Sequence, residues 1–343
     1  MSTAKRFKVI RTDRELECPH VDAALRARGV ELVLLPEGVS EETLIREIRD
    51  TDLLLMCYTP ITRQIIAAAP KLRGIVKYGV GIDAIDLAAA RAANIPVVNV
   101  PEYAEETVAE GAFTLLLALA KKLIPLHHTM QKVGWAWPTQ RWLGSDIAGR
   151  TVGIIGVGTI GRSFARMAGA GFRARVIGYD PYVSVTAMQQ AGVEKRDRLH
   201  DLLAESDYVS LHCVLNANTK HLIGAGELAA MKRSACLINV SRGALIDEVA
   251  LVQALASGAL AGAGLDVFSQ EPLRHHGHPL SQLYTMENVV LLPHLTFYTQ
   301  EAMQRLEAET LERCEELLSN RPVLIKSRDP RLANQTLVNP AFL

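Results

Sequence analysis

Thr151-Val152-Gly153-Ile154-Ile155-Gly156-Val157-Gly158-Thr159-Ile160-Gly161 is the stretch that decides the fold. Its first five residues read as a buried strand, and the Gly-x-Gly-x-x-Gly that follows runs straight into helix-forming sequence from Arg162 to Ala168. Each glycine has its own task in such a turn. Gly156 permits the sharp reversal, Gly158 lets a pyrophosphate approach the backbone, and Gly161 lets the helix pack on the strand. The unsatisfied N–H groups at the helix start then face the phosphate oxygens. Asp180 ends the next apolar run, Arg175 to Tyr179. A carboxylate there suits ribose hydroxyls and repels a 2′-phosphate, so the stretch predicts a dinucleotide site for NAD rather than NADP.

Working outward, the same strand-helix alternation continues on both sides. Downstream, apolar runs recur at Tyr208 to Leu211, Ala235 to Val240, Ala263 to Val267 and Val289 to Leu292, which makes six strands with the two already named. Six parallel strands match a full dinucleotide-binding sheet. Upstream, a separate series occupies Lys8 to Ile10, Glu31 to Leu35, Leu53 to Met56, Gly74 to Val76 and Pro96 to Val100, with helical spacing at Glu41 to Arg49 and Ile61 to Ala69. These runs are continuous rather than alternating, as expected of strands covered on both faces. The predicted fold is therefore α/β with two doubly wound parallel sheets: a Rossmann domain and a flavodoxin-like one. An Ala/Leu-rich helix from Glu105 to Lys122, with Thr107 and Glu110 spaced as a capping box, opens the second series. A helix from Gln300 to Leu318 and a polar tail have no nearby strands to pair with and are expected to return to the first domain. The expected domains are 1–101 with 296–343, and 102–295.

Bulk properties narrow the function. The chain has 343 residues, enough for two domains, and its 37 basic and 37 acidic residues leave no net field for nucleic acid or an anionic membrane. A small-molecule ligand is the expectation. The longest apolar stretch, Ala112 to Ala120, is far short of the roughly 20 residues that span a bilayer. Lys5, Arg6 and Lys8 are not followed by a signal peptide's apolar core, and the five cysteines show no paired spacing, so a cytoplasmic protein without disulfides is expected. No metal site is predicted: His275, His276 and His278 have no accompanying carboxylate or cysteine cluster and read as a solvated loop.

Three ionisable residues follow predicted strands: Arg242, Glu271 and His294. Strand carboxyl ends are where an open α/β sheet binds its ligand. Reduction of a 2-oxo acid by hydride needs a cation to hold the carboxylate and polarise the keto oxygen, which an Arg fork supplies. It also needs an acid to protonate the developing alkoxide, a task suited to His, with a carboxylate beside it to favour the imidazolium.

Val240-Ser241-Arg242-Gly243-Ala244-Leu245-Ile246-Asp247-Glu248, Gly264-Leu265-Asp266-Val267-Phe268 through Glu271-Pro272, Leu292-Pro293-His294 and Tyr78-Gly79-Val80-Gly81-Ile82-Asp83 together resemble the signature segments of the D-isomer-specific 2-hydroxyacid dehydrogenases. The resemblance implies catalysis by Arg242, Glu271 and His294, and substrate contacts at Lys77, Tyr78, Val80 and Gly81 besides Arg242. It implies a cofactor set of Gly156, Gly158, Thr159, Ile160, Gly161, Asp180, Pro181, Thr107, His212, Cys213, Val214, Thr219, Val240, Ser241 and Asp266. The function it implies is hydride transfer between NAD and a small D-2-hydroxy acid, hydroxypyruvate or glyoxylate being favoured. The alternatives are 3-phosphoglycerate, for which Lys77 could meet a phosphate, and an NAD-sensing interaction protein like the corepressors that share the fold. Relatives dimerise through the region of the Glu105 helix and Trp135, Trp137 and Trp142, so a homodimer is expected. Leu295-Thr296-Phe297-Tyr298 departs from the small residues usual after the histidine, and Val214 and Asn216 replace the usual Pro and Thr.

Overall fold

The structure, a computed structural model, describes residues 6–342; Met1–Lys5 and Leu343 lie outside the described residues, and Lys5 of the basic N-terminal group with them. The chain divides into two compact units, Met1–Ala104 with Thr299–Leu343, and Glu105–Tyr298. The expected junctions at 101/102 and 295/296 fall three residues before these.

In the first unit, β1 (Lys8–Arg11), β2 (Glu31–Leu34), β3 (Leu53–Met56), β4 (Gly74–Lys77) and β5 (Val97–Asn99) form a parallel sheet of order β2-β1-β3-β4-β5. That is the flavodoxin-like order. All of β3 and β4 is buried, which is why those runs carry no polar alternation. Helix Gln300–Leu318 packs on the same sheet: Leu317 lies so close to Gly74 that a Cβ there would stand 2.7 Å from its Cδ1. The polar tail belongs here too. Gln335 donates to the Val97 carbonyl and accepts from its N–H, each at 2.8 Å, which occupies part of the edge of β5.

In the second unit, β6 (Thr151–Ile155), β7 (Arg175–Tyr179), β8 (Glu194–Lys195), β9 (Tyr208–Leu211), β10 (Cys236–Asn239), β11 (Gly262–Leu265) and β12 (Val289–Leu291) are all parallel, in the order β12-β11-β10-β9-β6-β7-β8. The central order is that of a dinucleotide-binding sheet. The sheet has seven strands where six were expected, because β8 is a two-residue polar edge strand with no apolar run to betray it. Helix Glu105–Ala120 covers one face and buries Ala109, Ala112, Leu115 and Leu116. It ends two residues short of the expected Lys122, which takes a left-handed φ of 52° before a second helix, Leu123–Val133. That helix was not foreseen. Nor does the expected capping box form, since Thr107 is the third residue of its helix and buried.

Candidate active site

The glycine turn is shaped by its neighbours. Gly156 has φ 92°, and a Cβ there would lie 2.6 Å from the Cys213 nitrogen; a Cβ on Gly161 would press on the Gly156 carbonyl. Over Gly158, in contrast, nothing stands within 4 Å of where a side chain would begin. Thr159 and Ile160 open helix Thr159–Arg166 behind this open space. Asp180 accepts from the Val157 N–H at 3.0 Å and from the Tyr182 N–H at 2.9 Å, so its carboxylate braces both the turn and its own loop through Pro181. An open cradle over Gly158, helix N–H groups behind it and a carboxylate at the adjacent strand end fit a dinucleotide.

His212 lies behind the turn. One ring nitrogen, Nε2, is 2.9 Å from the Ser210 hydroxyl, the ring packs on Phe164 at 5.0 Å, and Nδ1 is enclosed without a hydrogen-bond partner. Burial holds its pKa down at about 3, so the imidazole stays neutral. Cys213 is pushed up to about 11 by burial and stays a thiol. Val214 is exposed, and Thr219 donates to the Val214 carbonyl at 2.7 Å.

The carboxyl ends of β10, β11 and β12 carry the reactive groups. Buried Asn239 binds both ends of its loop, accepting from the Ser241 N–H at 3.0 Å and donating to the Arg242 carbonyl at 2.9 Å. The Ser241 hydroxyl reaches the Leu211 carbonyl at 2.9 Å, while Val240 is core. Gly243 then packs directly on the Phe268–Ser269 backbone, with no room for a Cβ. This contact brings the Arg242 loop to the segment that bears Glu271. Glu271 accepts from the Phe268 N–H at 2.9 Å and meets His294 Nδ1 at 2.7 Å with its other oxygen. Burial pushes the Glu271 carboxyl up, but the hydrogen bond and charge of His294, the Phe268 N–H and the Arg242 charge outweigh it and hold the group below its usual range.

His294 itself is held in a left-handed conformation, φ 57°, a region that costs a non-glycine residue about 1 kcal/mol or more. Asp266 shows what holds it there. Fully buried at the end of β11, it accepts from the N–H groups of Leu295 at 2.8 Å and Thr296 at 3.0 Å and from the Thr296 hydroxyl at 2.5 Å. Burial raises its pKa despite these bonds. Glu271 thus fixes the imidazole and Asp266 the backbone just beyond it. The ring of Phe297 stands edge-on to His294, centroids 6.5 Å apart.

Not every expected residue joins a site. In the first unit Tyr78 is turned into the core, its hydroxyl bonded to the Thr12 and Asp13 carbonyls. Lys77 is also buried and donates to the Cys57 thiol. Val80 is 45% exposed, with its carbonyl taken by Asn99 at 2.6 Å, beside Gly79 and Gly81. His275 stacks on Tyr284 and His278 caps the turn at Leu280; among the described residues no His/Cys/Asp/Glu group could hold a metal. Sequence reasoning missed Asn239, and it quoted Gly243 only within a signature segment and Thr296 only as a departure, without the contacts they make. Asn239, a lone amide ending an apolar run, was the one with a visible signal.

A dinucleotide turn followed by a paired histidine and carboxylate with an arginine nearby defines a nicotinamide-dependent dehydrogenase. A family model described as D-isomer specific 2-hydroxyacid dehydrogenase, NAD binding domain, matches residues 113–296. The chain is 40% identical over 304 residues to a glyoxylate reductase of Korarchaeum cryptofilum, covering 87% of each protein. It is 37% identical to a D-3-phosphoglycerate dehydrogenase of Methanocaldococcus jannaschii, covering 87% of this chain and 56% of that one. Among solved structures, D-lactate dehydrogenase from Aquifex aeolicus complexed with NAD and lactic acid superposes with TM-score 0.81 at 28% identity, covering 91% of this chain and 95% of that one. The chain belongs to the D-isomer specific 2-hydroxyacid dehydrogenase family, and its activity is NAD-linked interconversion of a 2-hydroxy acid and a 2-oxo acid.

Proposed function

We propose that the chain reduces a small 2-oxo acid of the glyoxylate or hydroxypyruvate type, with His294 as the acid, Glu271 as its partner and Arg242 binding substrate. The observation that carries this is the 2.7 Å contact between Glu271 and His294 Nδ1, with Asp266 fixing the residues that follow. A carboxylate on Nδ1 sets the tautomer and leaves Nε2 as the nitrogen for proton transfer. The family's nicotinamide supplies a hydride when bound. Arg242 would take the substrate carboxylate and keto oxygen in its planar fork, and the ionised Glu271 would stabilise the imidazolium before its proton moves to the new alkoxide. Val80, which is 45% exposed, and Gly81 keep the substrate-binding role that the family resemblance implies. Cofactor choice rests on Asp180, whose negative charge opposes a 2′-phosphate.

The test is the rate of NADH and of NADPH oxidation with glyoxylate, hydroxypyruvate, pyruvate, 2-oxoglutarate and phosphohydroxypyruvate. Glyoxylate or hydroxypyruvate with NADH is expected to lead. A preference for phosphohydroxypyruvate would move the assignment to 3-phosphoglycerate, and no turnover with any acid, alongside NADH-dependent association, would favour the interaction protein. The exposed apolar residues Leu123, Met130, Val133, Trp135, Trp137 and Leu143 support a homodimer. Five unbridged cysteines support a reducing, cytoplasmic setting.

A further inference from the structure

Two nucleophilic side chains that the proposed mechanism does not use touch in the first unit. Cys57 follows β3, Lys77 ends β4, and the parallel register pairs Met56 with Lys77. Lys77 is 5% exposed and Cys57 6%, and Nζ lies 2.9 Å from Sγ. Among the described residues no carboxylate stands within ion-pair distance of Lys77; its other neighbour of note is the Tyr58 ring, 5.5 Å from Nζ.

Both residues are held in place from behind. The Asp13 carboxylate accepts from the N–H groups of Cys57 at 2.8 Å, Tyr58 at 3.0 Å and Thr59 at 3.3 Å, and from the hydroxyls of Thr12 and Thr59. With so many donors, Asp13 is committed to the Cys57–Thr59 loop. On the other strand the bonds of the Tyr78 hydroxyl to the Thr12 and Asp13 carbonyls fix the residue after Lys77. Gly79 leaves space that Nζ uses, since a Cβ there would stand 2.8 Å from it. The contact is therefore built into two strand ends rather than left to one rotamer.

We infer that Cys57 and Lys77 form a reversible covalent bridge through one oxygen, Sγ–O–Nζ, when the protein meets hydrogen peroxide. One peroxide oxidises the thiol to a sulfenic acid and leaves as water. Lys77 first releases its extra proton to solvent; the free amine then attacks a second peroxide, forming an N–O bond and a second water. The oxygen of that hydroxylamine attacks the Cys57 sulfur, the S–O bond forms, and the sulfenic hydroxyl leaves as a third water. Sulfur and nitrogen together lose four electrons, which two peroxide molecules accept. An intervening oxygen spans the present 2.9 Å gap with little movement, whereas a direct S–N bond would need the two atoms to close much of that gap. Burial pushes the Cys57 thiol up, against the opposing charge of Lys77, so the resting group is a thiol and not a freely reactive thiolate.

The experiment uses the whole wild-type protein, treated with a peroxide series and digested with trypsin without reductant. Peptide 50–63 should appear joined to 74–91, uncut after Lys77, at the summed mass plus about 14 Da for one oxygen gained and two hydrogens lost. Dithiothreitol should separate the two and restore cleavage after Lys77. Cys57→Ser and Lys77→Arg should each abolish the joined species. Recovery of Cys57 as free thiol or sulfinic acid, with normal cleavage after Lys77, would overturn the bridge. A joined species about 2 Da below the summed mass would also overturn it, because that is a direct S–N bond. These masses do not depend on which acid the protein reduces.

Discussion

At the residue level, the division of labour between two carboxylates, exposed Glu271 and buried Asp266, is the feature that most directly shapes the chemistry. Glu271 is held ionised by His294, whereas Asp266, with three donors but no cation in contact, is pushed up by burial. Glu271→Gln keeps shape and an acceptor but removes the charge that favours imidazolium. We expect kcat/KM for the 2-oxo acid to fall about 10²-fold, the alkaline limb of its pH profile to move to lower pH, and NADH affinity to change little. An unmoved pH limb, whatever the loss of rate, would reduce Glu271 to a structural bond. The linkage has a definite sign: a carboxyl lowered in the folded state stabilises above its unfolded value of about 4.3, and that contribution disappears as pH falls through the folded value. Arg242, Glu271 and His294 were legible because each follows an apolar run that announces a strand end. The work of Asp266 was not, because its partners include the backbone N–H groups of Leu295 and Thr296, and no residue type advertises those.

Among the elements, the glycine turn separates positions the backbone requires from positions a ligand requires. Gly156 has a positive φ and the Cys213 nitrogen against its missing side chain, so Gly156→Ala should lower the melting temperature by several degrees, about 1–3 kcal/mol. Gly158 has open space and an ordinary φ, so Gly158→Ala should leave the melting temperature within about a degree and weaken NADH binding roughly tenfold or more by filling the pyrophosphate approach. Fluorescence titration alongside thermal melts distinguishes them; equal loss of stability in both variants would contradict the cradle. Every other strand of both sheets was legible as an apolar run, because a parallel sheet is covered on both faces. Edge strand β8 was hidden by its polar brevity. The Glu105 helix read too long because Lys121 and Lys122 are good helix formers, although a left-handed Lys122 breaks the chain there.

For the whole molecule, acid stability and assembly can each be tested. Acid stability is the first. His212 is neutral when folded with a pKa of about 3, and an unfolded histidine takes its proton near 6.5. Its contribution is complete above about pH 6.5 and is lost as pH falls from there toward 3, at up to about 1.4 kcal/mol per pH unit. His212→Gln, compared with wild type by urea denaturation at pH 7, 6, 5 and 4, should show a shallower decline; parallel declines would assign the acid sensitivity elsewhere. Assembly is the second. Helix Leu123–Val133 buries none of its residues within the chain, and Leu123, Val133, Trp135, Trp137 and Leu143 are each more than half exposed. Scattered exposed apolar residues need no explanation, but a run of them with two indole rings 6.2 Å apart has the composition of an interface core. A protein with no net charge also lacks the self-repulsion that would keep such surfaces apart. Light scattering should give a mass near twice 37.5 kDa for the wild type. The double substitution Trp135→Asp with Trp137→Asp places two charges on that surface and should shift the mass to the single-chain value at micromolar concentration. Circular dichroism should be retained, because neither indole contributes to either core. A wild type that runs as a single chain, or a double variant that remains dimeric, would show that the subunits do not meet through this segment.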